Sequence, residues 1–150
     1  IDGDSLKRYN SKGYAAGDDV IRKITSTLSG ALRPNDFIGR WRMGDEFIVI
    51  LPSTTVEQAA IVGERLRAAV ELASQGWLFT TSVSIGIAYY PKHGHTSNQL
   101  VESAEKALRI ASLSRRKPQT LESTSVLVDN SPSLRRNGDC FAARCRSDSQ

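Results

Sequence analysis

Two groups of carboxylates stand out in this 150-residue sequence. Asp2 and Asp4 fall in the opening Ile1-Asp2-Gly3-Asp4, and Asp45-Glu46 follow Met43-Gly44. Clustered carboxylates repel one another unless a cation neutralises them, and hard oxygen donors suit Mg²⁺ or Mn²⁺. Two such ions can activate an attacking hydroxyl and stabilise a leaving pyrophosphate, which is the two-metal logic of nucleotidyl transfer. A plainer reading makes Asp2, Asp4, Asp45 and Glu46 solvated loop and turn residues, since Gly-Asp turns are common. Residue types alone leave both readings open.

The elements that would position these groups can be read from periodicity. The opening residues read as the end of a buried strand running into an acidic loop that continues to Gly17. Val20, Ile21, Ile24, Leu28 and Leu32 recur at helical spacing and predict a helix from about residue 16 to 32, weakened at Gly30 and ended by Pro34. Residues 37–41 and 47–51 are short, apolar and β-prone, so they predict a β-hairpin with its turn at Gly44-Asp45. Thr54 with Glu57, and Thr96 with Gln99, read as capping boxes opening helices to about Ala73 and Ser112. Between them, residues 80–90 predict a long strand with Thr81, Val83, Ile85, Ile87 and Tyr89 on one face. Gly86 within it predicts close backbone approach by a neighbour.

The order β-α-β-β-α-β-α, with a hairpin in the middle, predicts an α+β, ferredoxin-like fold. In that topology the first strand neighbours the hairpin, so the two acidic groups would converge on one sheet edge. Residues 113–150 are rich in Ser, Arg, Asn and Asp without a sustained period and read as an irregular or disordered basic tail, with residues 125–128 as a possible edge strand. The net charge of +4 arises mainly there, from seven basic and four acidic residues, so the nearly neutral body argues against a nucleic-acid partner. No apolar run reaches the roughly 18 residues of a membrane span, so no membrane contact is expected. Cys140 and Cys145 match neither a redox pair nor a zinc set, and point to a reduced, cytoplasmic setting. His93 and His95 read as loop residues rather than metal ligands, and Trp41 and Trp77 as packing residues.

Five segments in order resemble the GGDEF (diguanylate cyclase) domain family. Met43-Gly44-Asp45-Glu46-Phe47 is similar to the GGDEF motif with its first Gly replaced. Asp2 to Asn10 resembles the family's Asp-x-Asp-x-Phe-Lys-x-x-Asn segment, and Ala16-Gly17-Asp18 its following Gly-Asp. Ser82 to Ala88 resembles its Thr-Val-Ser-x-Gly-x-Ala strand, and Ala104 to Leu108 its Ala-Asp-x-Ala-Leu helix. The resemblance covers residues 1–112 and implies a palm-like cyclase version of the fold: a mixed sheet with a central β-hairpin and helices packed on it.

It also implies roles by position. Asp2, the carbonyl of Gly3 and Asp45 would hold Mg²⁺ or Mn²⁺ with Glu46 assisting, and Asp45 or Glu46 would favour deprotonation of a 3′-hydroxyl. Asn10 and Asp18 would read the guanine edge, Gly44 would let backbone approach the nucleotide, and Lys7 and Arg116 would reach the triphosphate. Arg33-Pro34-Asn35-Asp36 fits the family's RxxD inhibitory site, where Arg33 and Asp36 would grip product; a helix end followed by a Pro turn explains the same residues. The implied activity is condensation of two GTP into cyclic di-GMP by a homodimer with one GTP per domain. The alternative is a degenerate domain that binds GTP or cyclic di-GMP without turnover.

Four departures bear on that choice. The family's preceding helix and most of its first strand have no counterpart before Asp2. The hairpin carries one extra residue in Arg40-Trp41-Arg42-Met43-Gly44-Asp45, while the loop from Asn10 to Asp18 is one shorter. Ser112 stands where the family often has Lys, leaving Arg115, Arg116 or Lys117 as substitutes. The family's closing Gly-Arg-Asn is not matched cleanly at Arg115-Arg116-Lys117.

Overall fold

The computed structural model describes residues 2–3, 6–41, 44–114, 128–129 and 143–144. Helix α1 spans Leu6–Asn10, where sequence reading expected loop. Leu6 and Tyr9 are one turn apart and both turn inward, Tyr9 becoming buried, and that contact holds the short helix. Gly13, with φ of 113°, then reverses the chain into helix α2 (Tyr14–Gly30), two residues earlier than the periodicity predicted. Val20, Ile21, Ile24 and Leu28 form its buried stripe.

Strands β2 (Phe37–Arg40) and β3 (Phe47–Pro52) form the expected hairpin, with Phe37 opposite Ile50 and Arg40 opposite Phe47. Helix α3 (Val56–Ala73) opens one residue later than its predicted capping box. Thr55, not Thr54, is the cap, with its hydroxyl accepting from the Gln58 amide at 3.3 Å while Gln58 Oε1 accepts from the Thr55 amide at 3.0 Å. The Thr54 hydroxyl is buried and donates to the Pro52 carbonyl instead. Helix α4 (Ser97–Ser114) opens with the reciprocal Thr96–Gln99 bonds its sequence predicted.

The long strand expected over residues 80–90 keeps its burial pattern but little of its ladder. Thr81, Val83, Ile85 and Ile87 are buried; among the described residues β4 (Val83–Ser84) lies antiparallel to β1 (Asp2–Gly3), and Gly86 forms a further single bridge. The expectation that β1 and the hairpin are neighbours is not met among the described residues: no ladder joins them. The edge of β3 away from β2 is instead paired by β5 (Val128–Asp129), parallel to Leu51 and Pro52, and by β6 (Ala143–Arg144), antiparallel to Ile48 and Val49. An open edge presents unpaired amides and carbonyls, and these two segments satisfy them.

β3 divides the interior into two layers. Phe47, Val49 and Leu51 face α2 and α3, together with Val83, Ile85 and Ile87. Ile48 and Ile50 face the opposite way onto Ala88, Leu100 and Ala104, with Trp41 and Tyr90 at the margin. Gly86 is where α4 meets the sheet. A Cβ there would overlap the Ala104 carbonyl and lie 2.5 Å from the Leu108 amide, so the close approach read from the sequence is present.

Candidate nucleotide site

The hairpin holds the acidic pair through its own backbone. The Trp41 amide donates to the Glu46 carbonyl at 2.7 Å, and Arg40 Nε donates to the Gly44 carbonyl at 2.7 Å. Together these bonds close the loop between β2 and β3. Gly44 has φ of 124°, a conformation that costs other residues strain, and so turns the chain where a side chain would be penalised. Asp45 follows at the head of β3 and is only 8% exposed, while Glu46 is half-buried. Asp45 thus sets carboxylate oxygens beside a residue that carries no side chain.

A second group of predicted residues meets at the junction of α1 and α2. The Asn10 side chain occupies the space over Gly17, where an added Cβ would collide with its Oδ1 and lie 3.1 Å from its Cγ. Gly17 is buried in the first turn of α2 and Asp18 is the next residue, so Asn10 and Asp18 share this junction, both exposed. Lys7 is also exposed, one turn earlier on α1.

The Arg33–Asp36 segment forms a closed turn. The Arg33 amide donates to Asp36 Oδ2 at 2.9 Å, and the Asp36 amide donates to the Arg33 carbonyl at 3.0 Å. The carboxylate therefore has a local structural task, and the Arg33 side chain remains exposed.

Asp4, Arg42, Met43 and Arg116 lie outside the described residues, and Asp2 is described through its pairing with Ser84 alone. Among the described residues, no three acidic, histidine or cysteine side chains gather as a metal centre. The chemistry of the donors still suits a hard cation: Asp45 supplies carboxylate oxygens from a buried position, and the Gly3 carbonyl has the same oxygen character. His93 takes a structural role, its Nδ1 accepting from the Tyr89 amide at 2.9 Å. Tyr9, whose hydroxyl ties α1 to Phe79, carries one signal in the sequence, its place one turn after Leu6.

Helices on both faces of a sheet whose central hairpin carries a buried carboxylate define an α+β fold of the cyclase palm type. Residues 1–118 match the family described as Diguanylate cyclase, GGDEF domain. The chain belongs to the GGDEF domain family. Diguanylate cyclase TpbB of Pseudomonas aeruginosa is 37% identical over 116 residues, which are 74% of this chain and 26% of that protein. Diguanylate cyclase A of Treponema denticola is 33% identical over 130 residues, 84% of this chain and 35% of that protein. The chain thus spans about a quarter to a third of the length of these relatives. The crystal structure of the TpbB GGDEF domain superposes with a TM-score of 0.68 at 30% identity, covering 87% of this chain and 80% of that one. Diguanylate cyclase SiaD of P. aeruginosa, solved with its activator SiaC, gives a TM-score of 0.67 at 32% identity over 75% of this chain and 44% of that one.

Proposed function

We propose that this chain is a diguanylate cyclase domain, condensing two GTP into cyclic di-GMP with release of two pyrophosphates. The observation that carries the reading is Asp45, buried just before β3 and next to Gly44 in the hairpin, in a chain whose relatives are diguanylate cyclases. Two domains would face each other, each presenting one GTP. Each 3′-hydroxyl would attack the other nucleotide's α-phosphate, forming a phosphodiester bond as the bond to pyrophosphate breaks. Asp45 or Glu46 would favour loss of the hydroxyl proton.

Asp2, the Gly3 carbonyl and Asp45 are the groups that would hold Mg²⁺ or Mn²⁺. Such an ion, when bound, neutralises charge developing on the phosphates. Asn10 and Asp18, brought together at the α1–α2 junction, would recognise guanine; Lys7 and Arg116 would meet the triphosphate. Arg33, exposed beside the Asp36 turn, would grip the product phosphate or guanine. A GTP-consuming domain works where GTP is held, which places this one in the cytoplasm. Among the described residues no helix is long and apolar enough to cross a membrane.

The test is incubation with GTP and Mg²⁺ followed by chromatographic separation of nucleotides. Cyclic di-GMP is expected from the unaltered chain, and Asp45→Ala is expected to lower its formation by at least ~100-fold. Unchanged product formation by Asp45→Ala would sink the catalytic role. A second reading, nucleotide binding without turnover, draws on Ser112. Its hydroxyl donates back to the Arg109 carbonyl at 3.1 Å instead of offering a cation to phosphate. Calorimetric binding of GTP or cyclic di-GMP with no product in the same assay would favour that reading.

A further inference from the structure

We infer that Tyr9 is a positioning residue for guanine recognition, holding helix α1 in the orientation that places Asn10; this rests on the nucleotide reading proposed above. Helix α1 has five residues, too few to be stable without tertiary contacts. Lys7, Arg8 and Asn10 are exposed, so Leu6 and Tyr9 anchor it. An apolar contact is non-directional and leaves a short helix free to roll about its axis. The Tyr9 hydroxyl removes that freedom. It donates to the Phe79 carbonyl at 2.6 Å and accepts from the Phe79 amide at 3.0 Å, seventy residues away in the chain.

Phe79 is gripped from two sides by consecutive residues of α1. The Tyr9 ring meets it edge-on, with centroids 5.1 Å apart and planes at 78°. The Arg8 guanidinium lies 4.1 Å from its ring centre. The segment carrying Phe79 is itself anchored. Buried Ser74, at the end of α3, accepts from the Thr81 amide at 2.9 Å, and its hydroxyl lies 2.8 Å from the Thr81 carbonyl. A rigid path therefore runs from the end of α3 through residues 79–81 to Tyr9, and Asn10 is the next residue. Its side chain sits over Gly17 with no room to spare, so a small roll of α1 moves it off the α1–α2 junction. Recognition by a few directed hydrogen bonds is sensitive to displacements near 1 Å.

The test compares Tyr9→Phe with Ser74→Ala, which cuts the neighbouring clamp without touching α1. GTP and ATP affinities are measured by calorimetry with Mg²⁺, and amide exchange is followed at Ser11 and Gly13, which donate to the Lys7 and Asn10 carbonyls. Tyr9→Phe is expected to weaken GTP about tenfold, equivalent to about 1.4 kcal/mol, leave ATP unchanged, and speed exchange at both amides. Ser74→Ala, which loosens the far end of the same path, is expected to lower the melting temperature and to shift the preference for GTP over ATP in the same direction but less than Tyr9→Phe. Arg8→Ala, which loosens the grip from the surface, is expected to shift that preference the same way by about threefold. An unchanged preference in both Tyr9→Phe and Arg8→Ala overturns the inference, as does an equal loss of GTP and ATP. If the unaltered chain shows no preference for GTP, the nucleotide reading fails, and Tyr9's part in guanine recognition with it. Exchange at Ser11 and Gly13 still decides separately whether the hydroxyl holds α1.

Discussion

At the scale of single residues, Gly17 sets two effects against each other. Alanine in a helix is favoured over glycine by about 1 kcal/mol, so Gly17→Ala strengthens α2. The added methyl must displace the Asn10 side chain, which is exposed and can swing away at little energetic cost. Gly17→Ala is therefore expected to leave the melting temperature unchanged or slightly raised while weakening GTP several-fold, measured by calorimetry and thermal unfolding on the same samples. A large fall in melting temperature would show that Asn10 cannot yield. The sequence shows a Gly and an Asn here but not that one fills the space left by the other. That relation depends on the crossing of α1 and α2, and the five residues of α1 carry too little periodicity to register as a helix.

At the scale of elements, the longer patterns were legible and the short ladders were not. Helices α2, α3 and α4 follow from apolar spacing over 17 or 18 residues. The α3 cap shows the limit. Thr54-Thr55 offers two candidate caps and Glu57-Gln58 two partners, and burial of Thr54 decides for the later pair. Gln58→Ala, which leaves the Thr55 amide without its partner, is expected to cost about 1 kcal/mol in urea unfolding, and Glu57→Ala less. The contact of α4 with Gly86 is harsher. Backbone lies on the opposing side and cannot swing aside, so Gly86→Ala is expected to cost about 3 kcal/mol and lower the midpoint of urea unfolding. On the outer side of α3, Arg67 bridges Glu64 and Glu71 at 2.7 Å, and the pair with Glu64 holds its guanidinium above its already high ordinary range. The site is partly solvated, and Arg67→Ala is expected to cost about 0.5–1 kcal/mol, less in high salt.

At the scale of the whole molecule, the fold class was legible because element order and alternation suffice for it, whereas strand neighbours depend on which segments reach an edge. The sequence placed β1 beside the hairpin; among the described residues β1 pairs with β4, and β3 is paired by β5 and β6. The hydrogen bond from Trp41 to Glu46 sets the phase of the antiparallel β2–β3 ladder, so the Ile48 and Ile50 amides point to β2 and the Val49 amide points to β6. Ala143→Pro removes a donor opposite Val49. It is expected to accelerate hydrogen exchange at Val49 while Ile48 and Ile50 stay protected, and unchanged exchange at Val49 would show that the β6 pairing does not protect it in solution. The candidate site was legible at the hairpin and at Asn10–Asp18, where motif residues are contiguous or nearly so. The path from α3 through Phe79 to Tyr9 was not, because seventy residues separate the partners.

The two layers on either side of β3 each contain one of the two tryptophans. Trp77 packs against the layer that includes the buried residues of α2 and α3, and Trp41 against the layer that includes those of α4. The protein thus carries an intrinsic fluorophore in each half of its interior. Emission from Trp41→Phe and Trp77→Phe variants reports each half separately during unfolding. Coincident transitions would mark one cooperative unit, and an earlier change at Trp41 would mean that α4 detaches before the hairpin and its carboxylates lose their support.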